Sequence, residues 1–156
     1  MKTRTCMLGL AVLFAAVTVC FASDDAAVMG TWKLNEAKSK IGAGAPKNTK
    51  VVYEPAGDSI KVTVEGVAAD GSATHSEWTG KFDGKDYPVT GDPAADTRSY
   101  KKVNARTLAL TNKKDGKAVI TGKIVVSADG KTRTVTISGT DAKGKKITSS
   151  AVYEKE

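Results

Sequence analysis

Gly30-Thr31-Trp32-Lys33-Leu34 opens the patterned part of this chain, Val152-Tyr153-Glu154-Lys155 closes it, and short strands read between them. A first strand carrying G-x-W and a last strand ending in a Tyr must meet if the sheet closes on itself. These two stretches therefore decide between an open sheet and a barrel. Between them, Ser59-Ile60-Lys61-Val62-Thr63-Val64-Glu65 and Arg133-Thr134-Val135-Thr136-Ile137-Ser138 alternate apolar and polar residues with the period of a strand. Similar runs occupy 29–35, 48–55, 73–82, 85–90, 97–103, 106–113, 117–127 and 145–155, about ten strands in all. Asp-Gly pairs at Asp70-Gly71, Asp83-Gly84, Asp115-Gly116 and Asp129-Gly130 punctuate them. Asp-Gly accepts the positive φ angles of a tight hairpin turn, so each pair is expected to join neighbours antiparallel. Ala56-Gly57-Asp58 and Ala142-Lys143-Gly144 read as slightly longer versions.

The strands are one-sided. Ile60, Val62 and Val64 oppose Lys61, Thr63 and Glu65; Trp78 and Phe82 oppose His75, Glu77 and Lys81. Parallel sheets buried on both faces would show continuous apolar runs, which are mostly absent. A meander with one apolar and one wet face fits an all-β, antiparallel up-and-down barrel better than a sandwich, which needs longer crossings. Two stretches break the pattern. Asn35 to Asn48, rich in Lys, Ala and Gly, reads as a loop with at most one helical turn. Asp92-Pro93-Ala94-Ala95, a cap followed by Pro, predicts one short turn of helix.

Residues 1–22 read as a signal peptide: Lys2 and Arg4 form a positive n-region, Met7 to Phe21 is apolar and uncharged, and Cys20 and Ala22 supply small residues before a cut. The apolar run is short for a bilayer span and Asp24-Asp25 follows at once, so no stable membrane anchor is expected. Val17-Thr18-Val19 before Cys20 disfavours a lipoprotein signal. Cleavage leaves residues 23–156 as one domain, exported to the periplasm or secreted. Both cysteines, Cys6 and Cys20, leave with the leader, so the domain holds together by burial rather than by disulfides. The absence of an N-x-S/T sequon agrees with a bacterial setting. Of 24 basic residues, losing Lys2 and Arg4 leaves 22 against 17 acidic, a net charge of +5. Without the leader only Arg98, Arg106 and Arg133 remain as arginines, the lysines are spread along every strand, and no aromatic-plus-basic cluster forms a base-stacking platform. The excess reads as a solvated surface, with no nucleic-acid partner.

The opening Gly30-Thr31-Trp32-Lys33-Leu34 resembles that of the fatty-acid-binding proteins and, more loosely, the G-x-W of lipocalins, both in the calycin superfamily. Ser150-Ala151-Val152-Tyr153-Glu154-Lys155 resembles the terminal strand of the fatty-acid-binding proteins. The resemblance implies a secreted bacterial calycin-like barrel in which Gly30 and Trp32 close one end. It also implies that Tyr153 corresponds to the Tyr of an Arg-x-Tyr pair gripping a ligand carboxylate. The Arg position falls on Ala151, and Asn35 to Asn48 is too short for that family's two-helix lid. A replacement cation could come from Arg133, which shares a face with Val135 and Ile137, or from Arg98, two residues from Tyr100. Strand ends ordinarily lie at the rim, where Arg reaches to water. The candidate ligand-binding residues are thus Tyr153, Arg133, Tyr100 and Arg98.

Nothing in the chain points to catalysis. His75 is the single histidine, no Ser sits on a G-x-S-x-G elbow, and a surface position is expected for His75 beside Glu77. Asp92 and Asp96 lack intervening oxygen donors for calcium, and Gly42-Ala43-Gly44-Ala45 lacks the Lys-Ser/Thr of a phosphate loop. No metal or cofactor is implied. Tyr87 to Asp96, with two prolines, reads either as a portal or partner surface or as a strand end followed by a turn. The expected function is non-enzymatic binding of a small, partly apolar ligand inside a monomeric barrel. The alternative is an envelope or extracellular interaction module that uses its rim loops over a filled core. N-terminal sequencing of the exported protein is expected to begin at or near Ser23, and recovery of a Cys20-acylated, membrane-bound form would contradict this leader.

Overall fold

The computed structural model describes residues 25–43, 45–141 and 143–156. The leader over 1–22, with Cys6, Cys20 and the start at Ser23, lies outside the described residues, as do Gly44 and Ala142. Ten strands follow in order: β1 (Gly30–Ile41), β2 (Lys47–Ala56), β3 (Ser59–Val67), β4 (Ala73–Gly80), β5 (Tyr87–Thr90), β6 (Thr97–Asn104), β7 (Thr107–Lys114), β8 (Lys117–Val126), β9 (Thr132–Thr140) and β10 (Lys146–Lys155). Each pairs antiparallel with its sequence neighbour, and β10 returns to β1 to close the barrel. The alternating runs and Asp-Gly turns produce this directly. Asp115 and Gly116 both take positive φ, 48° and 74°, as the tight β7–β8 hairpin requires.

Three local readings are corrected. Asn35 to Ile41 is strand, not loop: β1 continues through an irregularity between Asn35 and Lys40. Side chains repair the ladder there. Asn35 Oδ1 accepts from Lys38 N at 3.1 Å, and Ser39 Oγ accepts from Val152 N at 2.9 Å. Asp83-Gly84 is not a hairpin tip, because β4 ends at Gly80 and Asp83 bridges Lys101 on β6. The bonds Gly84 N to Tyr100 O and Lys102 N to Phe82 O extend the sheet beside the short β5. Asp92 to Ala95 forms a turn without a helix, its Asp92 Oδ1 accepting from Ala94 N at 3.0 Å.

The strand ends define a floor and a mouth. At the floor, Trp32 is fully buried and its Nε1 donates to Val28 O at 2.9 Å, so the turn at Asp25–Val28 folds beneath it. Gly30, at φ +102°, lets the chain enter β1, and a Cβ there would press on Lys155 Cε at 3.1 Å. Lys155 Nζ in turn lies 5.2 Å from the Trp32 ring centroid. At the mouth, Ala45 packs on Ile120 and Ile147 as a second, smaller apolar cluster. β1 pairs with β2 only from Gly30 to Lys33; beyond that a groove opens, spanned by the 2.8 Å Lys47–Glu36 ion pair.

Trp32 therefore seals the floor. Replacing a buried Trp by Ala costs about 3–5 kcal/mol. Denaturant melts of Trp32→Ala are expected to show a loss of that size, and one below about 1 kcal/mol would contradict the plug role.

Candidate functional site

Inward-facing residues of seven strands surround a cavity of about 70 Å³ between the floor and mouth clusters. All four residues singled out from the sequence, Tyr153, Arg133, Tyr100 and Arg98, line it. Alternation along the strands puts them there. On β9 the inward positions from floor to mouth are Arg133, Val135 and Ile137; on β10 they are Tyr153, Ala151 and Ser149. The two strands are in register, with Arg133 opposite Tyr153 and Val135 opposite Ala151.

The rim position expected of the arginines is corrected for both. Arg133 is 2% exposed and Arg98 7%. Their environments differ in the way that matters for binding. Arg98 Nε donates to Asn112 Oδ1 at 2.9 Å and its Nη2 to Asp92 Oδ2 at 3.1 Å, so a partly buried ion pair ties the β5–β6 turn to the cavity wall. Arg133 has no such partners. Its Nε and Nη1 are buried without a hydrogen bond, and it makes no ion pair among the described residues.

Three aromatic rings hold the Arg133 guanidinium instead. Its Cζ lies 5.1 Å from the Trp32 centroid, 5.0 Å from Tyr53 and 4.7 Å from Tyr153. A desolvated cation–π contact contributes up to about 2 kcal/mol. An uncompensated buried ion costs several kcal/mol even after relaxation, so the cage offsets much of the cost without supplying a counter-charge. The phenols do not supply one near neutrality. Burial pushes Tyr153 up to about 12 against the opposing pull of Arg133, and burial likewise raises Tyr100, with Tyr53 adding to it and Arg98 and Arg133 opposing.

Tyr100 is less open to a ligand than the sequence implied. It packs edge-on against Trp78 with centroids 4.8 Å apart and contacts Phe82 and Tyr53. Tyr153 Oη donates to Asn48 O at 3.0 Å, beside the irregularity in β2, and can still accept a bond. Two site residues were missed. Tyr53 shares a face with Val51, and Asn112 shares one with Leu108 and Leu110, so strand parity alone would have turned both inward.

The remaining candidates serve structure. His75 is exposed, 3.6 Å from a Glu77 already held by Lys61 at 2.8 Å. Asp96 accepts from Lys114 Nζ and from Asp115 N, while Asp92 serves Arg98, so the two carboxylates work separately. Among the described residues, no group of three His, Cys, Asp or Glu side chains could hold a metal ion.

A phenol with a raised folded pKa contributes stability that is complete below its unfolded value and lost as pH rises through the folded one. For Tyr153 that window runs from 10.0 to about 12. Ultraviolet titration of the folded protein is expected to show phenols resisting ionisation across this window. Tyr153→Phe should remove one of them and flatten the loss of stability there; loss instead of a phenol that ionises near 10.0 would place Tyr153 in water.

No protein-family model matches the sequence, and no curated protein matches it. Among solved structures, a redesigned β-barrel, mFAP1, bound to DFHBI, is similar over 85% of this chain and 98% of its own, at 15% identity and a TM-score of 0.45.

Proposed function

We propose that this chain is a non-catalytic binding protein of calycin type, exported by its leader, that holds a small, partly apolar molecule in the barrel interior. The observation that carries the reading is Arg133: a buried guanidinium with two unpartnered nitrogens, on the wall of a cavity lined by both aliphatic and polar side chains. Folding a barrel needs no such group. Val51, Val64, Leu110, Ile120, Ile124, Val135 and Ile137 supply an apolar lining, Arg133 and Tyr153 supply a polar corner at the floor end, and Ser149 adds a hydroxyl toward the mouth. A few convergent polar groups in an apolar hollow are what orient a small ligand.

One observation favours the rival reading, an interaction module acting through its rim loops over a filled core. The cavity is well below the hundreds of cubic ångströms usual for drug-sized ligands, and Ala45 packs across the mouth. Native mass spectrometry of the purified protein, with solvent extraction, separates the two. A stoichiometric co-purifying small molecule, lost in Arg133→Ala but retained in a surface variant such as Lys61→Ala, is the expected result. Recovery of the bare chain, together with failure of neutral and acidic small-molecule probes to shift its melting, would promote the interaction module.

A further inference from the structure

We infer that the interior cavity is a site for one short-chain carboxylate of one to three carbons, its acid group on Arg133 and its alkyl end against Val135 and Ile137. This inference rests on the ligand-binding reading above and narrows it by charge, size and polarity.

Charge comes first. Two guanidinium groups, each a positive charge, line the cavity. Arg98 is neutralised within the protein by Asp92 and further satisfied by Asn112. Arg133 is met only by the faces of Trp32, Tyr53 and Tyr153, which attract a cation but carry no net charge. One positive charge remains uncompensated, so the complementary ligand is a monoanion. A planar guanidinium favours a planar, forked acceptor, which a carboxylate provides.

Size comes second. An engineered cavity of about 150 Å³ accommodates benzene, with six carbons. At about 70 Å³ this one has room for three or four non-hydrogen atoms, the scale of formate to acetate, or propionate with slight yielding. A long-chain fatty acid does not fit. The space itself depends on Ala151, whose small side chain lies opposite Val135 at the point where a larger residue would fill the hollow.

Polarity selects between a carboxylate and an inorganic oxyanion of equal size. From floor to mouth, β9 presents a cation and then two aliphatic side chains, Arg133, Val135 and Ile137. An alkyl group on the anion gains from Val135 and Ile137, whereas the outer oxygens of nitrate find only the Ser149 hydroxyl, opposite Ile137, as a donor on these two strands beyond Arg133 and Tyr153.

The test is a set of titrations at constant ionic strength, read by calorimetry and by the shift in melting temperature. The ligands are formate, acetate, propionate, hexanoate, palmitate, nitrate and the neutral acetamide. Saturable binding of acetate or propionate is expected, at least tenfold tighter than acetamide, nitrate, hexanoate or palmitate. Arg133→Gln should lose at least tenfold for acetate. Because that substitution also removes the cation at the centre of the ring cage, two other variants keep the charge. Ala151→Val should weaken acetate by filling the space, and Ile137→Ala should move the preference toward longer acids. Acetamide binding as tightly as acetate would overturn the anion assignment while leaving the apolar-ligand reading intact. Nitrate equal to acetate would replace the carboxylate with an inorganic oxyanion, and hexanoate or palmitate equal to acetate would overturn the size limit. Failure of every ligand, neutral or charged, in a folded wild-type protein would overturn this inference and the ligand-binding reading together.

Discussion

The barrel closes around one buried cation. Arg133 comes from β9, Tyr153 from β10, Trp32 from β1 and Tyr53 from β2, so the ring cage ties together the four strands at which the ends of the chain meet. Elsewhere each strand is joined to its neighbour by a short turn and pairs locally. The β1–β10 seam joins residues more than a hundred positions apart and carries the largest loop-closure cost. The cage puts its heaviest side chains at that seam. Trp32 is braced from above by Arg133 and from below by Lys155, and its indole N–H is satisfied by Val28. Floor and cavity wall are therefore the same cluster seen from two sides.

That sharing sets a limit on how the site can be built. A guanidinium fully satisfied by protein carboxylates would hold the floor but offer nothing to a ligand, as Arg98 illustrates on the opposite wall with Asp92 and Asn112. A guanidinium in the open cavity would bind anions but not brace Trp32. Packing Arg133 on aromatic faces does both, because cation–π attraction uses the faces of the rings and leaves the charge uncancelled. The arrangement stores a desolvation cost in the ligand-free barrel, and a counter-anion relieves it.

Much of this architecture was legible in the sequence, and the reasons are specific. Alternation fixes which residues of a strand share a face, so Ile60, Val62 and Val64, or Ile147, Ser149, Ala151 and Tyr153, could be assigned inward without coordinates. Asp-Gly turns fixed the antiparallel order except at Asp83-Gly84, where pairing with β6 pulled the segment into the sheet. The continuation of β1 was hidden because its ladder is mended by the Asn35 and Ser39 side chains, and a Lys- and Ala-rich composition masks such a strand. Parity also turns Arg133 inward, but general experience with strand-end arginines argued for the rim. Only the placement of three rings from three other strands explains why it stays buried. Cavity volume was beyond reach, since it depends on how side chains of seven strands interdigitate.

Ala151 connects the two halves of the story. The terminal-strand pattern that the sequence resembles places an Arg there, and an alanine looks at first like a lost anion site. In the folded barrel, Ala151 faces Val135 across the β9–β10 ladder, two positions nearer the mouth than the Tyr153–Arg133 pair. A long cation at 151 would occupy the hollow and set a second unpaired positive charge beside Arg133. With alanine there, the cation sits one strand over and closer to the floor, and the space above it is left open and aliphatic. The alanine that departs from the resembled pattern is thus also what leaves the hollow beside Arg133 open.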